Sequence, residues 1–267
     1  NGRITKKTLK KWKNFPNFAR KVFNNFDLCL AASKESKNNL DKLCVKNSSY
    51  IGNLKFSVNN KIESLNKSDE KVLNRCKVWC AASIHPEEEQ IILNTHVELK
   101  KKYKNILSII IPRHINRTSN IKDLSIKLNL NSQILNNDDV INADAEIIII
   151  NSFGVLSKYF DYCKNVFIGK SFIKKLKLVG GQNPIEAAKL GCNILHGPYV
   201  YNFQEIYELL NSYSISEQVN TENELSDKII KNFENPKKIN KDRVDLLNIY
   251  GKKTLNLTSA QLNKFLK

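Results

Sequence analysis

The stretch NILSIIIP, residues 105–112, is almost entirely apolar and ends at a proline. Further strand-like runs are FDLCLAAS at 26–33, VWCAAS at 78–83, AEIIIINS at 145–152, NVFIGKS at 165–171, NILH at 193–196 and ISEQVN at 215–220. Continuous apolar strands that alternate with helices are typical of a parallel sheet covered on both faces. The pattern therefore predicts an α/β fold, a Rossmann-like doubly wound parallel sheet over about residues 51–235.

Helical patterns separate the predicted strands. They cover 33–43, 86–103, 120–128, 154–163, 183–190, 203–213 and 222–234, and 239–267 reads as one or two terminal helices. In a doubly wound sheet, ligands bind beyond the carboxyl ends of the strands. Three turns that carry polar or glycine residues are predicted at that edge, and they are Ser83–His85, Pro112–His114 and Gly180–Glu186.

The third of these turns is rich in glycine and precedes a helix. Asn183 suits the N-cap position and Glu186 follows three residues later, as in a capping box. Backbone at Gly180 and Gly181 can approach a ligand closely, and a helix start favours an anion. In that case a side chain at Gly181 would block the ligand and leave the domain folded. An ordinary turn with a capping glutamate explains the same residues equally well.

Composition points to a globular chain with an anionic partner. The 267 residues are 41% hydrophobic and carry a formal net charge of +17. Such an excess suits nucleic acid, acidic lipid or a phosphorylated substrate, although lysine-rich drift in AT-rich coding explains part of it. No apolar run reaches the roughly 18 residues of a membrane span. The chain has no methionine and begins at Asn1, so we expect a fragment whose N-terminal part is missing.

The cysteines and acidic residues show no metal-site spacing. Cys76 and Cys80 are the only close pair of the six cysteines, and no D-x-D sequence occurs. We therefore expect reduced thiols, with Cys29, Cys80 and Cys192 in or beside apolar strands, and neither a cofactor nor a metal.

The first 26 residues are basic and aromatic, in NGRITKKTLKKWKNFPNFARKVFNNF. They predict a pair of amphipathic helices. Such a pair could lie on an anionic membrane, or its aromatic side chains could pack against a preceding part of the protein. The second explanation is the more ordinary one.

Several separated motifs resemble, in the same order, those of the Kdo transferases, the 3-deoxy-D-manno-octulosonic acid transferases of lipopolysaccharide assembly. The matching segments are NGRI at 1–4, GNLKF at 52–56, ASIH at 82–85 followed by Glu88, PRH at 112–114, GKS at 169–171, GGQNPIE at 180–186, and GP and NF at 197–198 and 202–203. Each segment is weak evidence alone, but together they extend over nearly the whole chain.

This resemblance implies the C-terminal, donor-binding half of a GT-B glycosyltransferase. Residues 1–50 would be the end of an N-terminal acceptor domain that is mostly missing. Residues 51–238 would bind the nucleotide-sugar donor, and residues 239–267 would be C-terminal helices that cross back toward the N-terminal domain.

The resemblance also implies the chemistry. The donor would be CMP-Kdo and the acceptor a lipid A precursor, at the cytoplasmic face of the bacterial inner membrane, with the enzyme peripheral. The expected partners are donor, acceptor, the anionic membrane surface and the missing N-terminal domain, with no nucleic acid. The catalytic base is expected in that missing half, so no catalytic residue is assigned here and the fragment alone is expected to be inactive.

Donor-binding residues follow by matching motifs. They are Lys55, Ser83, Arg113, His114, Gly180, Gly181, Asn183, Glu186 and Asn202. Arg113 offers a fork of donors for a phosphate or a sugar carboxylate. The glycine turn would hold the departing CMP phosphate, and Glu186 would accept bonds from sugar or ribose hydroxyls.

The sequence departs from the family pattern at four motif positions. Gln182 stands in place of a histidine, Lys170 of a glycine, Ile84 of a threonine and Val155 of a glutamate, and residues 174–178 lengthen one loop. Two alternatives stay open at this point. One is a non-catalytic basic protein that binds anionic membrane or nucleic acid, and the other is a different GT-B enzyme such as a nucleotide-sugar epimerase.

Overall fold

The structure is a computed structural model and describes residues 1–58, 64–236 and 241–265. The chain forms two compact units, Asn1–Asn59 with Asp245–Lys267, and Asn60–Val244. The predicted boundary between residues 50 and 51 lies inside the first unit, and the one between residues 238 and 239 lies outside the described residues.

The elements follow one another in this order. The first part of the chain contains α1 (Lys6–Lys13), α2 (Pro16–Phe23), β1 (Cys29–Leu30), α3 (Lys34–Asp41), β2 (Ser48–Ser49) and a 3₁₀ turn (Leu54–Ser57). Then come α4 (Lys67–Arg75), β3 (Lys77–Ile84), α5 (Glu88–Lys102), β4 (Ile106–Pro112), α6 (Thr118–Lys127), β5 (Ser132–Leu135), β6 (Ile147–Ile150), α7 (Leu156–Phe160) and β7 (Asn165–Ile168). The last elements are α8 (Ile185–Lys189), β8 (Asn193–His196), α9 (Gln204–Ser212), β9 (Ser216–Gln218), α10 (Glu222–Glu234) and α11 (Lys241–Leu262).

The second unit is built on a seven-stranded sheet in the order β5-β6-β4-β3-β7-β8-β9. Every pairing is parallel. All residues of β4, β6 and β7 are buried, because helices cover both faces of the sheet. This confirms the predicted Rossmann-like doubly wound fold.

The chain changes direction across the sheet between β3 and β7. From β3 it builds outward through β4 to β5 and β6, and it then returns to place β7 on the other side of β3. The turns that leave these two strands therefore diverge to opposite faces. In open α/β sheets the crevice at this switch point is the usual ligand site.

Two elements of the second unit were not predicted, and one predicted helix is shorter. Helix α4 lies in a polar stretch and buries little apolar surface, although Asn66 caps it by accepting a bond from the Asp69 N–H at 2.8 Å. Strand β5 is a half-exposed edge strand, so it lacks the apolar run that marked the others. The predicted helix over 183–190 is reduced to the five residues of α8.

The first unit joins the beginning of the chain to its last helix. The predicted strand over 26–33 is only the two residues of β1, which pairs with β2, and Gly2 bridges to Ala31. In the aromatic segment at the start, α1 and α2 bury Leu9, Ala19 and Phe23.

Two glycines allow α11 to pack against the GNLKF motif. A Cβ at Gly251 would lie 2.2 Å from the Phe56 carbonyl oxygen, and one at Gly52 would lie 2.4 Å from Thr254 Oγ1. Phe56 is buried and its ring meets that of Tyr250 edge-on at 5.0 Å. The motif is thus a packing surface for the last helix.

All six cysteines are free thiols; Cys80, Cys163 and Cys192 are buried, whereas Cys29 is only partly buried. None of the described helices has both the length and the apolar composition that a membrane span requires.

We predict that Gly251→Ala lowers the stability of the first unit. In an open helix this change would stabilise by about 1 kcal/mol, but here the added methyl meets backbone, and overpacking costs about 1–3 kcal/mol. The free energy of opening, measured by hydrogen exchange in α11 peptides, should fall. Asn248→Ala, at an exposed position of the same helix, is the control and should leave it unchanged or slightly higher. Stabilisation by Gly251→Ala would contradict the contact.

Candidate functional site

Most of the predicted site residues lie at the carboxyl edge of the large sheet. Ser83 is the last residue but one of β3, and Arg113 and His114 follow β4. Gly180, Gly181, Asn183 and Glu186 lie between β7 and β8, and Asn202 follows β8. Lys55 belongs to the first unit. Eight of the nine residues that the sequence predicted for the donor site therefore lie at one edge of one sheet.

A single buried carboxylate joins the two turns at the switch point. Glu88 Oε2 accepts bonds from the backbone N–H groups of His85 at 2.9 Å and Lys170 at 2.7 Å. Its Oε1 accepts from those of Ser171 at 2.8 Å and Phe172 at 3.0 Å. Glu88 thereby connects the turn after β3 to the turn after β7, and we call this set the Glu88 network.

The Glu88 network requires an ionised carboxylate. Glu88 is fully buried, and burial raises the pKa of its carboxyl, while the four backbone N–H donors act against that rise. Each oxygen already accepts two N–H groups, so a carboxyl proton would face a donor in either position. The motif match included Glu88, but its role across the switch point depends on β7, which lies about 80 residues later.

Ser171 extends the network from β7 to the turn after β8. Its Oγ donates to the Ile168 carbonyl at 2.8 Å and accepts from the Gly197 N–H at 2.8 Å. Its own carbonyl accepts from the Tyr199 N–H at 2.9 Å. A Cβ at Gly197 would lie 2.3 Å from that carbonyl oxygen, so only glycine permits this approach.

The Gly180–Gly181 turn packs directly against backbone. A Cβ at Gly180 would lie 2.2 Å from the Tyr199 carbonyl oxygen, and one at Gly181 would lie 2.9 Å from Val200 Cα. Gly181 also has φ +85°, and its N–H donates to the Lys170 carbonyl at 2.7 Å. The expectation that a side chain at Gly181 would leave the domain folded is therefore wrong, because it would push against the chain after β8.

The neighbouring asparagines support this turn in different ways. Asn202 donates from its backbone N–H to the Gly180 carbonyl at 2.9 Å and from Nδ2 to the Val179 carbonyl at 2.6 Å. Asn183 is exposed and its Oδ1 accepts from the Ile185 N–H at 3.3 Å. Glu186 is partly buried in the first turn of α8, which begins two residues later than the sequence predicted.

A neutral histidine lies beside the Glu88 network. The pKa of His85 is lowered to about 4, chiefly by burial and then by the positive charges of Lys170, His114 and Arg113. Its Nε2 lies 3.1 Å from the Gln182 side-chain nitrogen, which can only donate, so this nitrogen of His85 carries no proton. The rings of His85 and His114 meet edge-on at 5.6 Å.

Backbone strain is concentrated at this edge. Among the described residues, six other than glycine have positive φ, and three of them are Ser83 at 56°, Glu87 at 77° and Lys170 at 59°. This conformation costs an L-residue about 1–2 kcal/mol, and such residues cluster at functional sites. Lys170 occupies the position where the matching motif has glycine, and its φ shows why glycine suits it.

The turn after β4 has its own buried support. Arg117 donates from Nε and Nη2 to the two oxygens of the buried Glu89, at 2.8 and 2.7 Å. The Arg113 N–H donates to the Ile84 carbonyl at 2.9 Å. The side chains of Arg113 and His114 remain exposed. Glu88 and Glu89 thus both support the turns of the candidate site.

Lys55 contacts residues of the first unit. It lies in the 3₁₀ turn, and its N–H donates to Asn53 Oδ1 at 3.0 Å. The same oxygen accepts from the Asn1 side chain at 3.3 Å, which brings the NGRI and GNLKF motifs together. Partial burial and then the charge of Arg3 lower the pKa of Lys55.

No group of three or more histidine, cysteine, aspartate or glutamate side chains is placed to hold a metal ion in the described part of the chain.

The second unit has the architecture of the C-terminal domain of GT-B glycosyltransferases. The chain superposes, with a TM-score of 0.58 and 22% identity, on a structure from Acinetobacter baumannii described as the C-terminal CMP-Kdo binding domain of WaaA. The match covers 71% of this chain and 94% of that one.

Sequence comparison identifies the family. A family model described as 3-deoxy-D-manno-octulosonic-acid transferase (kdotransferase) matches residues 1–58. The 3-deoxy-D-manno-octulosonic acid transferase of Rickettsia bellii is 32% identical over 202 residues, 74% of this chain and 47% of that protein. The Haemophilus influenzae transferase is 32% identical over 162 residues, 60% and 37% of the two chains. The chain belongs to the Kdo transferase family, which confirms the resemblance, and it spans less than half the length of these two relatives.

We predict that Glu88→Gln unfolds or strongly destabilises the second unit. The new amide NH₂ would face two backbone N–H donors, and each buried donor without a partner costs about 1–3 kcal/mol. The free energy of unfolding in urea should fall by about 3 kcal/mol. Glu87→Gln is the matched control, because Glu87 makes an exposed ion pair with Lys175 and its loss should cost under about 1 kcal/mol. Equal effects of the two changes would refute the role given to Glu88.

We expect the His85 imidazole to titrate near pH 4, well below its ordinary value of 6.5. Because its folded pKa is the lower one, its contribution to stability is complete above about pH 6.5 and is lost as the pH falls toward 4. NMR of the imidazole carbon-bound protons measures this directly. Lys170→Gly should raise the pKa of His85, whereas Lys127→Gln, at the opposite end of the sheet, should not. Titration near 6.5 in the parent would contradict the assignment.

Proposed function

We propose that this chain binds the donor CMP-Kdo at the carboxyl edge of its seven-stranded sheet, for transfer of Kdo to a lipid A precursor in lipopolysaccharide core biosynthesis. The observation that carries the proposal is the set of basic side chains at the switch point. The His114 ring meets the His85 ring at 5.6 Å, the Arg113 N–H donates to the Ile84 carbonyl, and the N–H groups of Lys170 and His85 both donate to Glu88 Oε2. The donor carries a phosphate and a carboxylate, and both match this charge. The names of the sequence relatives favour a transferase over an epimerase or a non-catalytic protein.

Arg113 is the principal anion-binding residue in this proposal. Its side chain is exposed, while its backbone is held by Ile84 and by the Glu89–Arg117 pair in the same turn. A guanidinium on a fixed turn presents two parallel donors to a phosphate or carboxylate. When the bond between the sugar and the CMP phosphate breaks, negative charge grows on the phosphate, and fixed cations stabilise it most at that moment.

The other predicted residues have supporting roles in the proposal. Gly180, Gly181 and Asn202 shape the turn beside the donor through backbone contacts. Ser83, Asn183 and Glu186 offer hydroxyl, amide and carboxylate groups to ribose or sugar hydroxyls. Lys55 is assigned to the same donor by its motif alone.

The base that takes the proton from the acceptor is assigned to no residue of this chain. By the family resemblance we expect it in the N-terminal half of the transferase fold. The lipid acceptor and the basic first helices favour action at an anionic membrane surface, which we place at the cytoplasmic face of the inner membrane. The isolated chain should therefore bind donor and transfer no sugar.

Binding of CMP tests the proposal. We expect the 267-residue chain to bind CMP, and to bind cytidine more weakly, in calorimetric titrations at physiological salt. Arg113→Ala should weaken CMP binding by about 10- to 100-fold, the equivalent of a charge-assisted hydrogen bond, with little effect on cytidine. Arg75→Ala, an exposed arginine beside the amino end of β3, is the control and should bind normally. Absence of CMP binding by the parent, or equal losses in both variants, would contradict the proposal.

A further inference from the structure

The His85 ring lies between two of the turns that form the candidate site. Its Nε2 lies 3.1 Å from the Gln182 side-chain nitrogen, in the turn before α8. Its ring meets the His114 ring, in the turn after β4, edge-on at 5.6 Å. The His85 backbone is also fixed, because its N–H donates to Glu88 Oε2 at 2.9 Å. The imidazole is thus held through both its side chain and its main chain at the β3–β7 switch point.

The contact with Gln182 decides which nitrogen of the His85 ring carries the proton. The amide nitrogen of Gln182 can only donate, so Nε2 accepts and the proton of the neutral ring lies on Nδ1. The ring is neutral at physiological pH, because burial lowers the pKa of His85 to about 4. His85 therefore has a single ring N–H group, and it is on the nitrogen that does not face the Gln182 amide.

Buried residues of α9 and β8 hold Gln182 in place. The Tyr207 hydroxyl donates to the Gln182 backbone carbonyl at 3.2 Å, and Tyr207 itself is buried. The Tyr207 ring lies 4.3 Å from the ring of His196, which is also buried. Nδ1 of His196 donates to the Gly197 carbonyl at 2.7 Å, because a carbonyl can only accept. The donor that faces His85 Nε2 is therefore carried by a supported turn.

The Nδ1–H group of His85 has no hydrogen-bond partner within residues 1–58, 64–236 and 241–265. It differs in this from His96, whose unpaired Nε2 is enclosed in the core. His85 is only partly buried, and its Nδ1 is not one of the fully buried polar atoms that lack a partner, so it reaches solvent. An N–H group that is fixed in direction and open to solvent can donate to a bound ligand.

The groups beside this N–H favour an anionic oxygen as its acceptor. The acidic residues that follow His85 are already committed, because Glu87 and Glu89 form ion pairs and Glu88 accepts four backbone N–H groups. The Arg113 N–H donates to the carbonyl of the residue just before His85, at 2.9 Å. The base of this cationic side chain is therefore next to the start of His85, and an anion at the switch point can accept from both.

We infer that His85 donates a hydrogen bond from Nδ1 to a phosphate oxygen of the nucleotide donor, in the tautomer that Gln182 fixes. This inference rests on the function proposed above and adds a residue that has no role there. A neutral imidazole supplies direction, whereas Arg113 supplies charge. As negative charge grows on the departing phosphate, the hydrogen bond to it strengthens, and no proton needs to move.

Nitrogen NMR of the four histidines in the whole chain tests the tautomer. At neutral pH we expect the proton of His85 on Nδ1. Gln182→Leu should populate the Nε2–H form, because the donor that excludes it is gone, whereas Gln90→Leu, at an exposed position of α5, should leave the proton on Nδ1. Saturation with CMP should shift the Nδ1 resonance, and saturation with cytidine should not. A proton on Nε2 in the parent, or no shift with CMP, would overturn the inference.

Two substitutions of His85 test the hydrogen bond itself. The side-chain amide of asparagine reaches the place of Nδ1, and that of glutamine reaches the place of Nε2. We expect His85→Gln to bind CMP at least about tenfold more weakly than the parent and His85→Asn to stay within about threefold, with cytidine binding unchanged in both.

The outcomes separate this inference from the proposed function. Equal CMP binding by His85→Asn and His85→Gln, or an equal loss of cytidine binding, would overturn the inference and leave the proposed function standing. A parent that binds no CMP would overturn both. If either variant fails to fold, the position of the His85 proton in the parent and its response to CMP still decide the inference.

Discussion

The arrangement of the candidate site depends on one buried carboxylate. Glu88 accepts four backbone N–H bonds, and they come from two turns that the chain topology sends to opposite faces of the sheet. Burying a charge is costly unless it is fully hydrogen-bonded, and here both oxygens are satisfied by backbone. Because the donors are backbone groups, the constraint fixes main-chain positions and involves no side chain other than that of Glu88. Ser171 then carries the same constraint to the turn after β8.

Strain and charge coincide at this edge for a common reason. A turn that leaves a parallel strand and must present its N–H groups to one carboxylate has few conformations available. Ser83, Glu87 and Lys170 adopt positive φ where those turns reverse. Of these three residues, Lys170 is held directly by the Glu88 network, because its N–H donates to Glu88 Oε2. Side chains that start from such fixed positions lose less entropy on binding a ligand, which is the advantage of a pre-organised site.

The sequence predicted the parts of the structure that depend on local composition. The central strands were recognisable because two-sided burial leaves an uninterrupted apolar run, as in Ile106–Pro112. Strand β5 and helix α4 bury too little to leave such a signal. The sequence predicted the Gly180–Gly181 turn but not the physical cause of its two glycines. That cause is close packing against Tyr199–Val200, which is not a local neighbour in the chain. The role of Glu88 depends on which strand lies beside β3, and a single sequence does not reveal strand order. The available hint was that Glu88, one of three successive glutamates at this helix start, matched a motif position.

The packing of α11 against the GNLKF motif has a consequence for how the protein is made. The first unit is discontinuous in the chain: one part ends before residue 60 and the other begins at Asp245. The second unit is continuous, so all of its strands are synthesised before the last helix and leave the ribosome ahead of it. Domains fold as units during synthesis, and contacts between distant residues form slowly. Gly52 and Gly251 therefore come into contact with their packing partners only after the sheet is complete. Until then the face of the GNLKF motif that α11 later buries is exposed, and it can aggregate or bind a chaperone.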